Sequence, residues 1–310
     1  MKAVAIQSGV PLIAPSPPWP VHFQVGARTI LTVRRRLSRV PLGLDAVLAD
    51  AAPVLPPLLP GEHGYLVTSL PVQHVAALTS AGAGLLVCER QRYTRFHTDL
   101  SIGFDAWFAA LSGNTRSGLK RKEKKLASAG RVRIERYRSP AEVAAFHPLA
   151  RQVAARTYQE RLLDAALPAD DGYQAEMLAL AAAGRARGWI LSIDDRPVAY
   201  LWCPVSDGIV RYEHVGHDPA WNDWSPGSVL HLTAMRDLFA EGTLAQFDFT
   251  EGEGQHKRQL ATGGVACADL LLLRPGLSNR ALIGALSAFD GGVAFAKRAL
   301  GSDWARRLRR

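Results

Sequence analysis

The sequence predicts a mixed α/β protein, with a mostly antiparallel sheet flanked by helices. Three observations carry this. The segments Trp189–Ile193, Val198–Val205 and Ile209–Gly216 are separated only by the turns Asp194-Asp195-Arg196-Pro197 and Asp207-Gly208, the spacing of an antiparallel meander. Around them, apolar residues fall at helical spacing. The composition of the 310 residues, 48% hydrophobic and 21% charged, suits a folded chain with one large core or two ordinary ones. Disorder, collagen and coiled coil are excluded.

After a proline-rich opening, Val21–Val40 reads as two short strands turned at Gly26. Pro41–Pro60 is a proline and alanine stretch, and Tyr65–Leu70, Val75–Leu78 and Leu85–Val87 complete a small α/β unit over 1–104. From Asp105 the period changes. Trp107, Phe108, Leu111, Thr115, Leu119, Lys122 and Leu126 predict a basic amphipathic helix, broken near Gly113 and closed by Gly130. Arg131–Tyr137 alternates as a strand. Ser139 caps a helix whose buried face carries Val143, Phe146, Leu149, Ala150, Val153, Thr157 and Tyr158, and Tyr173–Ala183 is helical. After the meander come a helix from Pro226 to Glu241, stopped by Gly242, and strands Gln246–Thr250 and Ala266–Arg274. The main unit is 105–280. The rest, 281–310, is a basic helical tail interrupted at Gly291-Gly292 and Gly301.

Thirty-seven Lys and Arg against 28 Asp and Glu leave +9, concentrated in Lys120–Lys125 and in Arg306, Arg307, Arg309 and Arg310. Such local charge fits a docking surface for something anionic rather than a chain-wide nucleic-acid stripe. Cys88, Cys203 and Cys267, odd in number and each in an apolar context, read as reduced thiols of a cytoplasmic protein. Ala3–Ala27 is uncharged, but Pro11, Pro15, Pro17, Pro18 and Pro20 break it as a spanning helix or secretory signal.

Three stretches can carry chemistry. In Asp218-Pro-Ala-Trp-Asn-Asp-Trp-Ser-Pro-Gly-Ser-Val, Ser225 reads as an N-cap and Pro226 as the first helical residue. The N–H groups of Gly227, Ser228 and Val229 would then be bare and able to hold a pyrophosphate. The plain alternative is a capped helix with Trp221 and Trp224 packed at its base. The second stretch, Phe247-Asp-Phe-Thr-Glu-Gly-Glu-Gly-Gln-His-Lys, collects Asp248, Glu251, His256 and Lys257 at a strand end; Glu251 and Glu253 make it a poor phosphate loop. Third, strict alternation along Ile209–His217 places Arg211, Glu213, Val215 and His217 on one face. No spacing forms a metal site, and neither a Gly-x-Ser-x-Gly elbow nor a dinucleotide fingerprint occurs.

In their order and spacing these motifs resemble the GNAT-fold acyltransferases, specifically the FemAB-like and BioF2-like (CelD/BcsL-like) group. The stretches concerned are Leu111-Ser-Gly-Asn-Thr-Arg-Ser-Gly-Leu-Lys-Arg-Lys-Glu-Lys-Lys-Leu, His217-Asp-Pro through Trp224-Ser-Pro-Gly-Ser-Val-Leu, and Phe247-Asp-Phe with Gly254-Gln-His-Lys. The resemblance covers about Asp105 to Arg274. It implies a GNAT-like sheet, with a reduced GNAT-like half before it. It also implies acyl transfer from acyl-CoA or an acyl carrier protein to an amine, an amino sugar of polysaccharide or cell-envelope synthesis among the acceptors, without a metal. On that reading Val215 and Gly216 of the splayed strand, with Ser225, Gly227, Ser228 and Val229, hold the donor. Glu213 is the base, and Asp248 is a second base or an orienter. His256 and Lys257 stand where the family usually has Tyr-Lys, so His256 has to substitute for the tyrosine. An aminoacyl-tRNA donor, a noncatalytic binding protein, and contact of the basic tail with an anionic membrane are the competing readings.

Overall fold

Strand alternation near the start of the chain yields a hairpin. A computed structural model describes residues 17–25, 28–82, 84–157, 167–252 and 254–300. Tyr158, Glu253 and the arginine-rich end Trp304–Arg310 lie outside them. The hairpin is β1 (Pro18–Val25) with β2 (Arg28–Pro41), and β3 (Gly64–Pro71) runs parallel to the end of β2. Short helices α1 (Leu44–Leu48) and α2 (Val75–Ala81) flank β3. Next comes β4 (Leu86–Asp99), far longer than the Leu85–Val87 piece expected. Its polar run Glu89–Arg95 hides the strand from an apolar pattern, because the inward side chains there are Tyr93 and Arg95, buried on polar partners.

The basic segment forms two helices, α3 (Phe104–Ala110) and α4 (Gly113–Ala127). The break falls at Leu111–Ser112, and the Ser112 hydroxyl accepts from the Thr115 N–H. Strand β5 (Val132–Tyr137) and helix α5 (Pro140–Ala154) follow, the helix opening on a full capping box between Ser139 and Glu142, a device worth about 1 kcal/mol. Helix α6 (Asp171–Ala182) precedes the meander of β6 (Ala186–Ile193), β7 (Arg196–Ser206) and a third strand in two pieces, β8 (Ile209–Arg211) and β9 (His214–His217). The chain closes with α7 (Pro226–Glu241), β10 (Gln246–Asp248), α8 (Gln255–Leu260), β11 (Gly263–Leu273) and α9 (Leu277–Leu300), which runs through Gly291-Gly292 without interruption.

All strands join one sheet in the order β1-β2-β3-β11-β4-β10-β8-β7-β6-β5, with β9 paired to β7. Strand β4, from the first 104 residues, lies between β10 and β11, so the expected boundary at 104/105 falls within a single sheet. One face packs α3, α4 and α7 over Trp189, Leu201, Val210 and Phe247, with Trp107, Met235 and Leu238 between the layers. The other packs α5 and α6 over Ile190, Tyr200 and Trp202, with Phe146 and Met177 inserted. Each of these fully buried side chains contributes roughly 1.5–3 kcal/mol. Among the described residues no helix is long and apolar enough to cross a membrane.

One irregularity creates the site. The N–H of Tyr212 still donates to the Asp248 carbonyl of β10 at 2.9 Å, while that of Glu213 donates to the Trp202 carbonyl of β7 at 3.3 Å. From there β9 follows β7, and β10 ends as Phe249 N–H turns to the Phe96 carbonyl. The two strands diverge, leaving the outer edge of β9 without a strand partner among the described residues. Close packing behind β9 fixes the divergence, since a Cβ at Gly216 would stand 2.5 Å from Tyr200 Cε1 and 2.9 Å from Thr157 Cγ2.

Candidate active site

A cleft of about 1230 Å³ opens where β9 leaves β10, with α4 and the start of α7 as its walls and α8 closing one end. Its apolar and aromatic lining comes from Leu119, Tyr212, Val215, His231 and Leu260. Three cations, Arg121, Lys122 and Arg156, also line it, and no carboxylate does among the described residues. A large concave site of one charge sign draws an anionic ligand. Asn114, Gln255 and Gln259 line it as well, adding uncharged polar side chains.

The basic helix and the start of α7, separate features of the sequence, meet here: Lys122 Nζ donates to Ser228 Oγ at 3.0 Å. The helix start itself departs from expectation. Ser225 occupies the N-cap position in a left-handed conformation (φ 52°, ψ 45°), and its side chain makes no cap. Its carbonyl instead turns back to accept from Ser228 N–H at 3.1 Å and Val229 N–H at 3.3 Å. Pro226 has no N–H, so of the opening amides only that of Gly227 is without a partner among the described residues. One backbone amide, the Lys122 ammonium and the Ser228 hydroxyl are the donors this point offers to a phosphate. Trp221 and Trp224 pack against the core and leave the gap open.

Along the floor, Tyr212 stacks on His231 with ring centroids 5.1 Å apart, and His256 stands 6.1 Å from Tyr212 and 6.5 Å from His231. Burial pushes the His256 imidazole below its ordinary value, and the adjacent Lys257 charge pushes it further. His231 is 95% removed from solvent by its 5% exposure, its Nε2 has no hydrogen-bond partner, and burial holds its pKa down to about 3. Both rings are neutral at pH 7; His256 can accept a proton, whereas the His231 Nε2 can only share a hydrogen bond. Burial likewise raises the Tyr212 phenol, which keeps its proton.

Five of the ten residues expected at the site line the cleft alongside His256: Val215, Gly216, Ser225, Gly227 and Ser228. The other four do not. Val229 is buried in the core with its amide already bonded, so it cannot hold the donor. Glu213 lies on the opposite face because the irregularity at Tyr212–Glu213 breaks the alternation expected for Ile209–His217; its carboxylate accepts from Tyr173 Oη at 2.9 Å and Arg211 Nε at 2.7 Å. Asp248 is 2% exposed, with both oxygens on the Arg95 guanidinium at 3.2 and 2.6 Å and one also taking the Thr250 N–H, a buried placement outside the cleft lining. Lys257 turns its ammonium to the Glu251 carbonyl at 2.5 Å.

Sequence reasoning missed Arg156, Tyr212 and His231. For His231 a signal was available, because it follows Gly227 by one helical turn and must share its face. Tyr212 reaches the cleft only through the irregularity, which no periodicity announces.

Residues 113–258, just under half of the chain, match the family described as Acetyltransferase (GNAT) domain. The matched region opens at the first residue of α4 and closes inside α8, and it contains the strands and helices that enclose the cleft. No curated protein matches the sequence significantly. Similar solved structures include the C-terminal DUF2156 domain of an Agrobacterium fabrum protein assigned as a lysylphosphatidylglycerol synthetase, at TM-score 0.49 and 12% identity over 74% of this chain and 72% of that one. FemX aligns at TM-score 0.45 and 12% identity over 69% and 73%. A GCN5-related N-acetyltransferase from Kribbella flavida aligns at TM-score 0.39 and 15% identity over 70% and 71%.

Proposed function

We propose that the protein transfers an acyl group from a phosphopantetheine thioester, acyl-CoA or its carrier-protein equivalent, to an amine. The observation that carries this reading is the cleft itself: cationic and, among the described residues, without a carboxylate in its lining, aromatic at its floor, and opened by the divergence of β9 from β10. Phosphate sits beside Gly227, Ser228 and Lys122, the pantetheine arm runs along the unpaired edge of β9, and outward N–H groups of that edge are donors for the oxyanion.

His256 is the base in this scheme, in preference to Glu213, because it lines the cleft and is unprotonated at neutral pH. It takes the proton of the incoming ammonium and passes it to solvent. The amine lone pair then forms the C–N bond as the C–S bond breaks, and the amine's second proton ends on the departing sulfur. Tyr212, protonated and with its ring 6.1 Å from that of His256, is the hydroxyl assigned to assist that departure. Asn114, Gln255 and Gln259 suit a hydroxyl-bearing acceptor such as an amino sugar.

Thermal melting with acetyl-CoA, followed by thiol release on adding glucosamine, tests the scheme. Saturating donor should raise the melting temperature, and His256→Gln should cut thiol release by about a hundredfold while keeping that shift. No shift at millimolar acetyl-CoA would remove CoA as the donor, and no shift with a holo carrier protein as well would remove the basis of the proposal.

A further inference from the structure

A helix start that offers a single amide is a poor match for a diphosphate and a good one for a single phosphodiester. Ser225 closes the amides of Ser228 and Val229 with its own carbonyl, and Pro226 contributes none, so Gly227 alone remains. Beside the same mouth the protein carries positive charge that does not line the cleft. Arg121 and Lys122 of α4 line the cleft, whereas Lys120, Lys124 and Lys125 do not. All three are exposed, and among the described residues none lies within ion-pair distance of a carboxylate. The helix's one acid, Glu123, is already engaged by Arg236 of α7. Aromatic rings support two of the free lysines from below: Lys120 Nζ stands 5.9 Å from the Phe108 ring and Lys125 Nζ 5.5 Å from Trp224.

Resting on the acyl-transfer reading above, we infer that the donor is presented by an acidic acyl carrier protein, which docks on the exposed face of α4 while its phosphopantetheine arm enters past Lys122 and Ser228. The single phosphodiester of that arm needs only what the start of α7 supplies. The carrier's acidic surface accounts for the lysines that point away from the cleft, and such complementary patches speed encounter and fix register. A tRNA would want a basic track across several elements. Here, among the described residues, the unpaired charge at the cleft mouth is confined to one helix, and the arginines that follow that helix, Arg131 and Arg133, are paired with Asp195.

The test measures binding of three probes to the full-length protein: CoA, free 4′-phosphopantetheine and a bacterial holo acyl carrier protein. Each is titrated against wild type and against Lys120→Glu/Lys124→Glu, two exposed positions outside the cleft. Holo carrier should bind at least tenfold more tightly than CoA and lose at least tenfold in the double variant, while CoA and phosphopantetheine change by less than twofold. Lys124→Ala, with no charge reversal, should lose a smaller factor for the carrier alone. Carrier binding that is no tighter than CoA, or is unmoved by either substitution, overturns the inference and leaves the transferase reading standing. So does retention of tRNA in place of carrier. Failure of all three probes on wild type removes the thioester reading itself.

Discussion

At the scale of single residues, the site turns on a neutral imidazole next to a buried ammonium. His256 is held below the ordinary imidazole value first by burial and then by Lys257. Its protonated form does not accept a proton, so thiol release should decline as the pH falls through that lowered value and be flat above it. Lys257→Gln removes the repelling charge, and the acid limb of kcat/KM should move upward toward that of a free imidazole. An acid limb unmoved by Lys257→Gln, or one that survives in His256→Gln, would take the base assignment away from His256. Asp248 illustrates the opposite outcome. As a carboxylate near a strand end it looked catalytic, but its oxygens are spent on Arg95 and Thr250. Asp248→Asn should cost about 3 kcal/mol in chemical denaturation, the penalty of leaving a buried guanidinium half-paired, while the folded enzyme keeps its turnover. The sequence shows which side chains can titrate; whether a given one meets substrate or an arginine depends on a partner 153 positions away.

Among elements, helices were the most legible. Pro226, Gly242 and 3.6-residue spacing placed the limits of α7, although Ser225 makes no cap, and Gly113 marked the break between α3 and α4 to within two residues, because these signals are local. The cleft was legible only in part, since it depends on a strand that changes partner midway. Alternation through Ile209–His217 predicts one continuous strand and puts Glu213 with Val215. The handover of Tyr212 to β10 and Glu213 to β7 reverses that, and it arises from long-range pairing. Gly216 is the residue that lets β9 lie close enough to Tyr200 to stay away from β10. A methyl group there meets Tyr200 Cε1 at 2.5 Å, so Gly216→Ala should displace β9 toward the gap. Donor binding should weaken at least tenfold, with a stability loss of roughly 1–3 kcal/mol. Calorimetry with acetyl-CoA separates this from simple unfolding, because Tyr200→Phe at the same contact removes no volume from the gap and should leave affinity unchanged.

For the molecule as a whole, the sheet makes stability and the site a single matter. Strand β4 bridges β10 and β11, and Phe247 and Phe249 of the β10 segment form the floor on which His231 and Tyr212 stack. His231 is buried there without a partner for Nε2, with a folded pKa of about 3 against about 6.5 in an unfolded chain. Between those two values the unfolded chain binds a proton that the folded one refuses. Stability is therefore fully present above pH 6.5 and falls by about 1.4 kcal/mol for each unit of acidification below it, until the folded pKa is reached. His231→Phe keeps the stacked ring and deletes the titration. Urea midpoints at pH 7 and pH 5 should then differ less in His231→Phe than in wild type, by the equivalent of roughly 2 kcal/mol. A ligand that hydrogen-bonds Nε2 offsets the cost of burying that nitrogen bare, so the wild type should also gain more from a bound donor than His231→Phe does. Equal pH dependence in the two proteins would mean that the imidazole finds a proton partner in the folded state, and the floor of the cleft would then be polar rather than dry.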